Sequence, residues 1–319
     1  MKDITLVVPT IPADVVSFLG NIGCFLDKLP INKIHLICNT RDMNISYLHE
    51  KVKLFQESDL VSYNEIKNLL QSRTNDPNVA KRTGWYLQQF LKMAYARVCT
   101  DEYYLLWDSD TFPLKKIDLF NDKGKPYLDF KSEYNKSYFN TLSRILPGYS
   151  KSFTGSFISE HMLINSHFMC ELLDQIEANN SIEGKTFYEK IINSIDFKDL
   201  PGSGFSEFET YGTFVYKKHL EEYQLRKWKS FRYGGFFLIP KDFDNQALFS
   251  WLGSYYHAVS IEKVHYLSCF RKLATSKFFI KYCRPKNWEL ISFFIRIYRR
   301  LFKLIIKRAH FKSGKYFAS

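Results

Sequence analysis

Residues 103–114 read YYLLWDSDTFPL. An unbroken run of five apolar residues is the pattern of a strand covered on both faces, as in a parallel sheet flanked by helices. Asp108, Ser109 and Asp110 follow at its carboxyl end, the edge at which open α/β sheets bind ligands. Two Asp one residue apart in a turn can face one point. Hard divalent cations take such oxygen donors together with substrate phosphates. The simpler alternative is a solvated turn in which Asp110 caps the next segment. A bare D-x-D is a common tripeptide, so its place after a buried strand is what gives it weight.

Upstream, residues 4–8 form a short apolar run that ends at Pro9-Thr10 and predicts a buried strand with a loop at its carboxyl end. Residues 13–29 have helical periodicity, and residues 33–38 (KIHLIC) predict a second strand. Strand, helix and strand in so short a span predict a βαβ unit and a parallel sheet. A third strand is expected at 52–55. A helix is expected over 83–98, with Leu87, Phe90, Leu91, Ala94 and Val98 as its apolar stripe. Downstream the pattern is less regular. Strands are expected at 152–158 and 232–238, and helices at 167–177, 186–195 and 206–219. The fold class is therefore α/β, a Rossmann-like, mostly parallel sheet flanked by helices, with the body over 1–270 and a separate tail over 271–319.

Composition bounds the rest. A chain of 319 residues that is 45% hydrophobic and 17% aromatic excludes a disordered or fibrous protein. The net charge of +12 is unevenly spread: residues 271–319 hold 14 Lys and Arg against one acid, Glu289, leaving 31 basic and 32 acidic residues in 1–270. Cys24, Cys38, Cys99, Cys170, Cys269 and Cys283 form no C-x-x-C pair, which gives no zinc or thioredoxin motif and reads as thiols of a reducing compartment. The opening MKDITLVVPTIP is too short an apolar run for a signal peptide, and no stretch is apolar enough to span a bilayer. A cytoplasmic location is expected.

At this point the residues carry a resemblance. The apolar strand followed by WDSDT, in a Rossmann-like chain opening with LVVPT, resembles the GT-A class of nucleotide-sugar glycosyltransferases. RTGWYLQQFLKM (82–93), SFISEHMLIN (156–165) and SGFSEFETYG (203–212) narrow it. Together the four motifs are similar to bacterial glycosyltransferases of capsule and lipopolysaccharide gene clusters. The resemblance implies a GT-A fold and transfer of a sugar from a nucleoside-diphosphate donor to a glycan acceptor, lipid-linked or free. It implies Mn²⁺ or Mg²⁺ held by Asp108 and Asp110, with His257 or His265 as a third ligand. It further implies that Thr10, Arg82, Gln89, Lys92 and Ser109 meet the donor, and that Trp107, Glu160 and His161 line the sugar or acceptor pocket.

Each assignment has a plainer alternative. Trp85, Gln88, Gln89 and Lys92 share one helix face opposite the apolar stripe, which is also what ordinary solvent exposure looks like. Gly84 would let backbone approach a ligand. Thr10 is equally a turn hydroxyl, Glu160-His161 a structural pair, and His257 a core histidine after the aromatic stretch 251–256. An inverting transferase needs a general base near the acceptor hydroxyl. Glu207 is the first candidate and Glu209 the second. The competing reading is a capping box with Ser206 as N-cap and Glu209 at N3.

Residues 288–308 read WELISFFIRIYRRLFKLIIKR. Ile291, Phe294, Ile295, Tyr298, Leu301, Phe302, Ile305 and Ile306 form an apolar face, with Arg296, Arg299, Arg300, Lys303, Lys307 and Arg308 on the other side. Such a basic amphipathic helix lies in the plane of an anionic membrane surface, with Trp288 suited to the interface. A helix packed on the body and an oligomer contact are the alternatives. A nucleic-acid arm would not need eight bulky apolar residues, so no nucleic acid is expected as a partner. Beside glycosyl transfer at the inner membrane face stand two other classes: a metal phosphohydrolase acting on nucleotide sugars, and a non-catalytic binding protein.

Overall fold

A computed structural model describes residues 2–42, 48–239, 242, 245–262, 272 and 275–313. The chain divides into two units, Met1–Trp228 and Lys229–Ser319.

In the first unit, β1 (Ile4–Pro9) is followed by α1 (Pro12–Gly20) and α2 (Ile22–Lys28), β2 (Lys33–Cys38), β3 (Val52–Gln56), α3 (Tyr63–Arg73), α4 (Pro77–Ala80), α5 (Thr83–Ala94) and β4 (Tyr103–Trp107). Then come β5 (Thr111–Pro113), β6 (Tyr127–Phe130), α6 (Lys136–Ile145), β7 (His161–Asn165), α7 (Ser166–Glu177), α8 (Phe187–Ser194), α9 (Glu207–Lys218) and β8 (Gln224–Lys227). The sheet runs β3-β2-β1-β4-β7. The first four strands are parallel, with Leu6 opposite Leu105 and Val8 opposite Leu36, and β7 joins antiparallel, with His161 opposite Trp107. Every residue of β1, β4 and β7 is buried, the mark of a sheet covered on both faces. Strand order turns back between β1 and β4, so their carboxyl ends, at Pro9 and Trp107, flank the switch point where α/β sheets bind ligands.

The α/β class and the mostly parallel sheet are as expected from the sequence. Three local readings differ. The helix at 13–29 is two helices broken at Asn21. The helix at 83–98 ends at Ala94 and tightens into a 3₁₀ turn, leaving Val98 exposed. At 152–158 there is only an isolated bridge, Ser156 to Lys131, and the strand follows at His161–Asn165. Apolar runs beside glycine read alike whether they extend or turn. Gly212, mid-α9, is required by packing: a Cβ there would lie 2.3 Å from Phe157.

The second unit holds β9 (Ser230–Phe231), α10 (Gln246–Gly253), β10 (Ala258–Ser260), α11 (Lys277–Tyr282) and α12 (Asn287–Ser313), with β9 and β10 parallel. At 232–238 the expected strand is a 3₁₀ turn, Gly234–Phe236. Trp288 is fully buried, its ring 4.5 Å from Phe237, 5.5 Å from Trp251 and 5.6 Å from Phe231. The Arg296 guanidinium lies over Tyr233 at 4.6 Å and Arg299 over Phe236 at 5.0 Å. These contacts correct three expectations. Trp288 is a core residue rather than a membrane anchor, Arg296 and Arg299 stack on rings of their own unit, and the start of α12 is built into the unit that begins at Lys229 rather than set apart at 271. Arg300 is exposed, and the Lys303 side chain lies outside the described residues.

Candidate active site

Asp108 and Asp110 sit in a turn closed by the Thr111 N–H donating to the Asp108 carbonyl at 3.0 Å. Asp108 is tied to the start of β7 as well, its N–H donating to the Glu160 carbonyl at 2.9 Å. Trp107 Nε1 donates to the Thr111 carbonyl at 2.7 Å and locks the turn from below. Trp107 itself is fully buried, so it supports the site from the core and does not line a pocket. Ser109 is half-buried at the tip. Thr111 Oγ1 donates to Asp110 Oδ1 at 3.3 Å.

The centre of the site is a lysine. Lys92 Nζ donates to Asp108 Oδ1 and to Glu207 Oε1, both at 2.7 Å, and its side chain is 4% exposed. It projects from the last turn of α5, while Glu207 opens α9. Burial disfavours the Lys92 ammonium, but the two carboxylates outweigh it and hold the group above its ordinary value. Burial pushes the Asp108 carboxyl up; Lys92 pulls it back, and Glu207 and Glu160 add to the push. One ammonium thus serves two carboxylates, Asp108 and Glu207, while the nearby Glu160 has its own cation in Lys131.

This arrangement changes the reading of α5. Gln89 and Lys92 are buried, because α5 packs against β1, α3 and α9 rather than turning this face to water. Gln89 Oε1 accepts from the Glu207 N–H at 3.2 Å, and Gln88 Nε2 donates to the Pro9 carbonyl at 3.5 Å. Lys92 is therefore not open to a diphosphate; it holds the carboxylates in place. Gly84 has open space around it and makes no close approach. Arg82, just ahead of α5, lies over Trp85 at 4.1 Å, and its buried Nε has no partner. Thr10, at the end of β1, has a buried and equally unpartnered Oγ1. A buried polar atom without a partner is costly unless a ligand or water completes it.

Glu160 and His161 do not pair with each other. Adjacent residues in extended backbone face opposite ways. Glu160 accepts from Lys131 Nζ at 2.7 Å, whereas His161 is 2% exposed between Trp107 and Trp228 and its Nε2 meets Asp129 Oδ2 at 2.9 Å. Asp129 also receives Arg226 Nε at 2.6 Å and Nη2 at 2.7 Å. His161 is thus a core histidine. Its partners Asp129 and Arg226 carry no sequence motif.

Ser206 caps α9 as expected, accepting from the Glu209 N–H at 3.2 Å. The box is not closed, because the Glu209 side chain accepts instead from Ser156 Oγ at 2.5 Å. Glu209 is 2% exposed and its carboxyl is raised by burial, which the Ser156 bond only partly offsets. In the second unit, the His257 ring meets the Lys229 backbone at 3.2 Å. His265 lies outside the described residues.

Among the described residues no group of three or more His, Cys, Asp and Glu side chains converges as a ready-made metal cage. The Asp108–Asp110 turn suits a different kind of site, in which one or two carboxylates and substrate phosphates share the cation. Asp108 shares its one ammonium with Glu207, which fits a divalent ion of that kind.

A sequence model of one protein family matches residues 21–231, more than half of the chain. The chain belongs to DUF6492, a family of unknown function. No curated protein matches this DUF6492 chain. Among solved structures, mouse xyloside xylosyltransferase 1 in its apo form aligns at a TM-score of 0.40 and 10% identity, over 83% of this chain and 99% of that one. The galactosyltransferase LgtC, in complex with donor and acceptor sugar analogs, aligns at 0.37 and 9%, over 84% and 88%.

Proposed function

We propose that the first unit is a metal-dependent glycosyltransferase of GT-A type that moves a sugar from a nucleoside-diphosphate donor to a surface-glycan acceptor, lipid-linked in the cell. The observation that carries this reading is the Asp108–Asp110 turn at the switch point of the sheet, with more carboxylate than Lys92 neutralises. The unpartnered Thr10 Oγ1 and Arg82 Nε support it, being the polar atoms a nucleotide and a diphosphate would complete.

Asp108 and Asp110 would hold Mn²⁺ or Mg²⁺, which when bound neutralises the diphosphate leaving group. Lys92 fixes Asp108 and anchors α9 through Glu207, so the carboxylate arrives oriented before the donor does. The Arg82 guanidinium supplies a fixed positive charge for the diphosphate. Glu207, engaged by Lys92, acts as that anchor rather than as the base, and Glu209 is taken up by Ser156. Glu160, held by Lys131, would line the sugar pocket in this reading.

A thermal-shift screen of nucleoside-diphosphate sugars, with and without Mn²⁺, tests the reading. One donor should raise Tm, and only with the cation present, since a ligand bound to the folded state alone stabilises it. Stabilisation by no donor overturns the reading. Donor breakdown at a rate indifferent to any acceptor replaces it with a phosphohydrolase.

A further inference from the structure

The second unit leaves large apolar side chains open to water. On α12, Leu290, Phe293, Phe294, Ile297 and Tyr298 are 60%, 53%, 59%, 39% and 66% exposed, and on α11, Phe278 and Tyr282 are 68% and 65% exposed. The α12 positions follow helical spacing and form one stripe. Trp288, Ser292 and Ile295 are buried on the other side, with Arg296 and Arg299 stacked inward, so the outer stripe is not what holds the helix to its unit. Exposed cations accompany it: Lys277, Lys281, Arg284, Lys286 and Arg300. The single acid of residues 275–313, Glu289, accepts the Tyr256 hydroxyl at 2.9 Å.

We propose that this α11–α12 face lies on an anionic lipid surface, with its aromatic and aliphatic side chains at the acyl boundary and its lysines and arginines among the head groups. The face differs from the one helical periodicity alone suggests, since Ile295 is buried, Ile291 is half-buried, and Leu290, Phe293 and Ile297 are exposed. No described helix is long and apolar enough to cross a membrane, and one lying in the interface needs only one such face. A second copy of the chain would set like charges against like charges, which opposes an isologous contact here. A nucleic acid would account for the cations and leave the bulky apolar residues unexplained. An anionic bilayer accounts for both.

The full chain is floated with phosphatidylcholine vesicles, with and without phosphatidylglycerol. Binding should require the anionic lipid. Lys277→Gln with Lys281→Gln should weaken it roughly thirtyfold, from the contribution of each cation near a charged surface. Phe293→Ser with Phe294→Ser should weaken it about tenfold or more by removing buried apolar area. All four side chains are exposed, so an unchanged Tm reports an intact fold. Failure of the wild type to float with anionic vesicles overturns the proposal, as does floating of both variants as well as the wild type. So does a dimer that the Phe pair breaks while vesicles capture nothing. Vesicle binding needs neither donor nor acceptor, so its outcome is separate from that of the glycosyl-transfer reading.

Discussion

Two ionic centres flank β4, and they are built to opposite ends. At one, Asp129 is closed on every side: Arg226 takes both oxygens, His161 adds a third bond, and the carboxylate side chain is 6% exposed. At the other, Lys92 divides itself between Asp108 and Glu207, and the Asp108 side chain remains 29% exposed at the strand end. The first centre matches one carboxylate with one guanidinium and an imidazole bond, and the second has one ammonium for two carboxylates. A satisfied buried network rigidifies a fold, whereas an under-compensated one at a ligand edge is poised to take up a cation. The same contrast appears in the carboxyl groups. Burial works against the Asp129 carboxylate, but its Arg226 and His161 bonds prevail and lower it, whereas burial wins at Asp108 and raises it.

The contrast can be broken in three ways. The largest effect is expected for Asp110→Ala, which should cut sugar transfer by about a thousandfold, the several kcal/mol a metal clamp supplies. Its denaturation midpoint should stay close to wild type, since Asp110 is only half-buried in the turn after β4; a metal-supplemented transfer assay that shows retained activity rejects the assignment.

Lys92→Met should come next, costing about 3–5 kcal/mol of unfolding free energy because it strands two carboxylates. Urea titration measures it. Adding Glu207→Gln should recover part of the loss, and no recovery would mean that Lys92 matters for packing alone.

The smallest effect is a difference in pH response. Asp129 has a lowered folded value, so its stabilising contribution is present above the unfolded value near 3.8 and is lost as pH falls through the folded one. Asp108 has a raised folded value, so its charged form penalises the fold, and that penalty is relieved as pH falls through the raised value. Denaturation over a pH series should therefore show Asp129→Asn less stable by about 2 kcal/mol near neutrality. This variant should also have a flatter acid limb, while Asp108→Asn should lose the opposing trend. Parallel acid limbs for both variants would erase the distinction.

Much of the fold was legible in the residues. The apolar runs at β1, β2 and β4 and the periodicity of α5, α7 and α9 are local signals, and each element formed where such signals stand. The position of Asp108 and Asp110 at a sheet edge was equally legible. The burial of Lys92 was not. On a helix, a polar face looks the same whether it meets water or a buried carboxylate from the next helix. Lys92 and Glu207 are 115 residues apart, a separation no periodicity reports. The same limit applies to Trp107 and Trp288, whose rings suit a pocket or an interface until their neighbours are known, and to His161, whose partner is Asp129 rather than the adjacent Glu160.

Local chemistry was enough to establish the α/β class, the acidic turn after a buried strand and the basic character of the tail, because strands, turns and charge runs are written in neighbouring residues. Tertiary structure alone decided which charges are compensated and which face of the last helix meets solvent. Those outcomes depend on groups brought together from distant segments, where burial sets the cost of every unpaired charge.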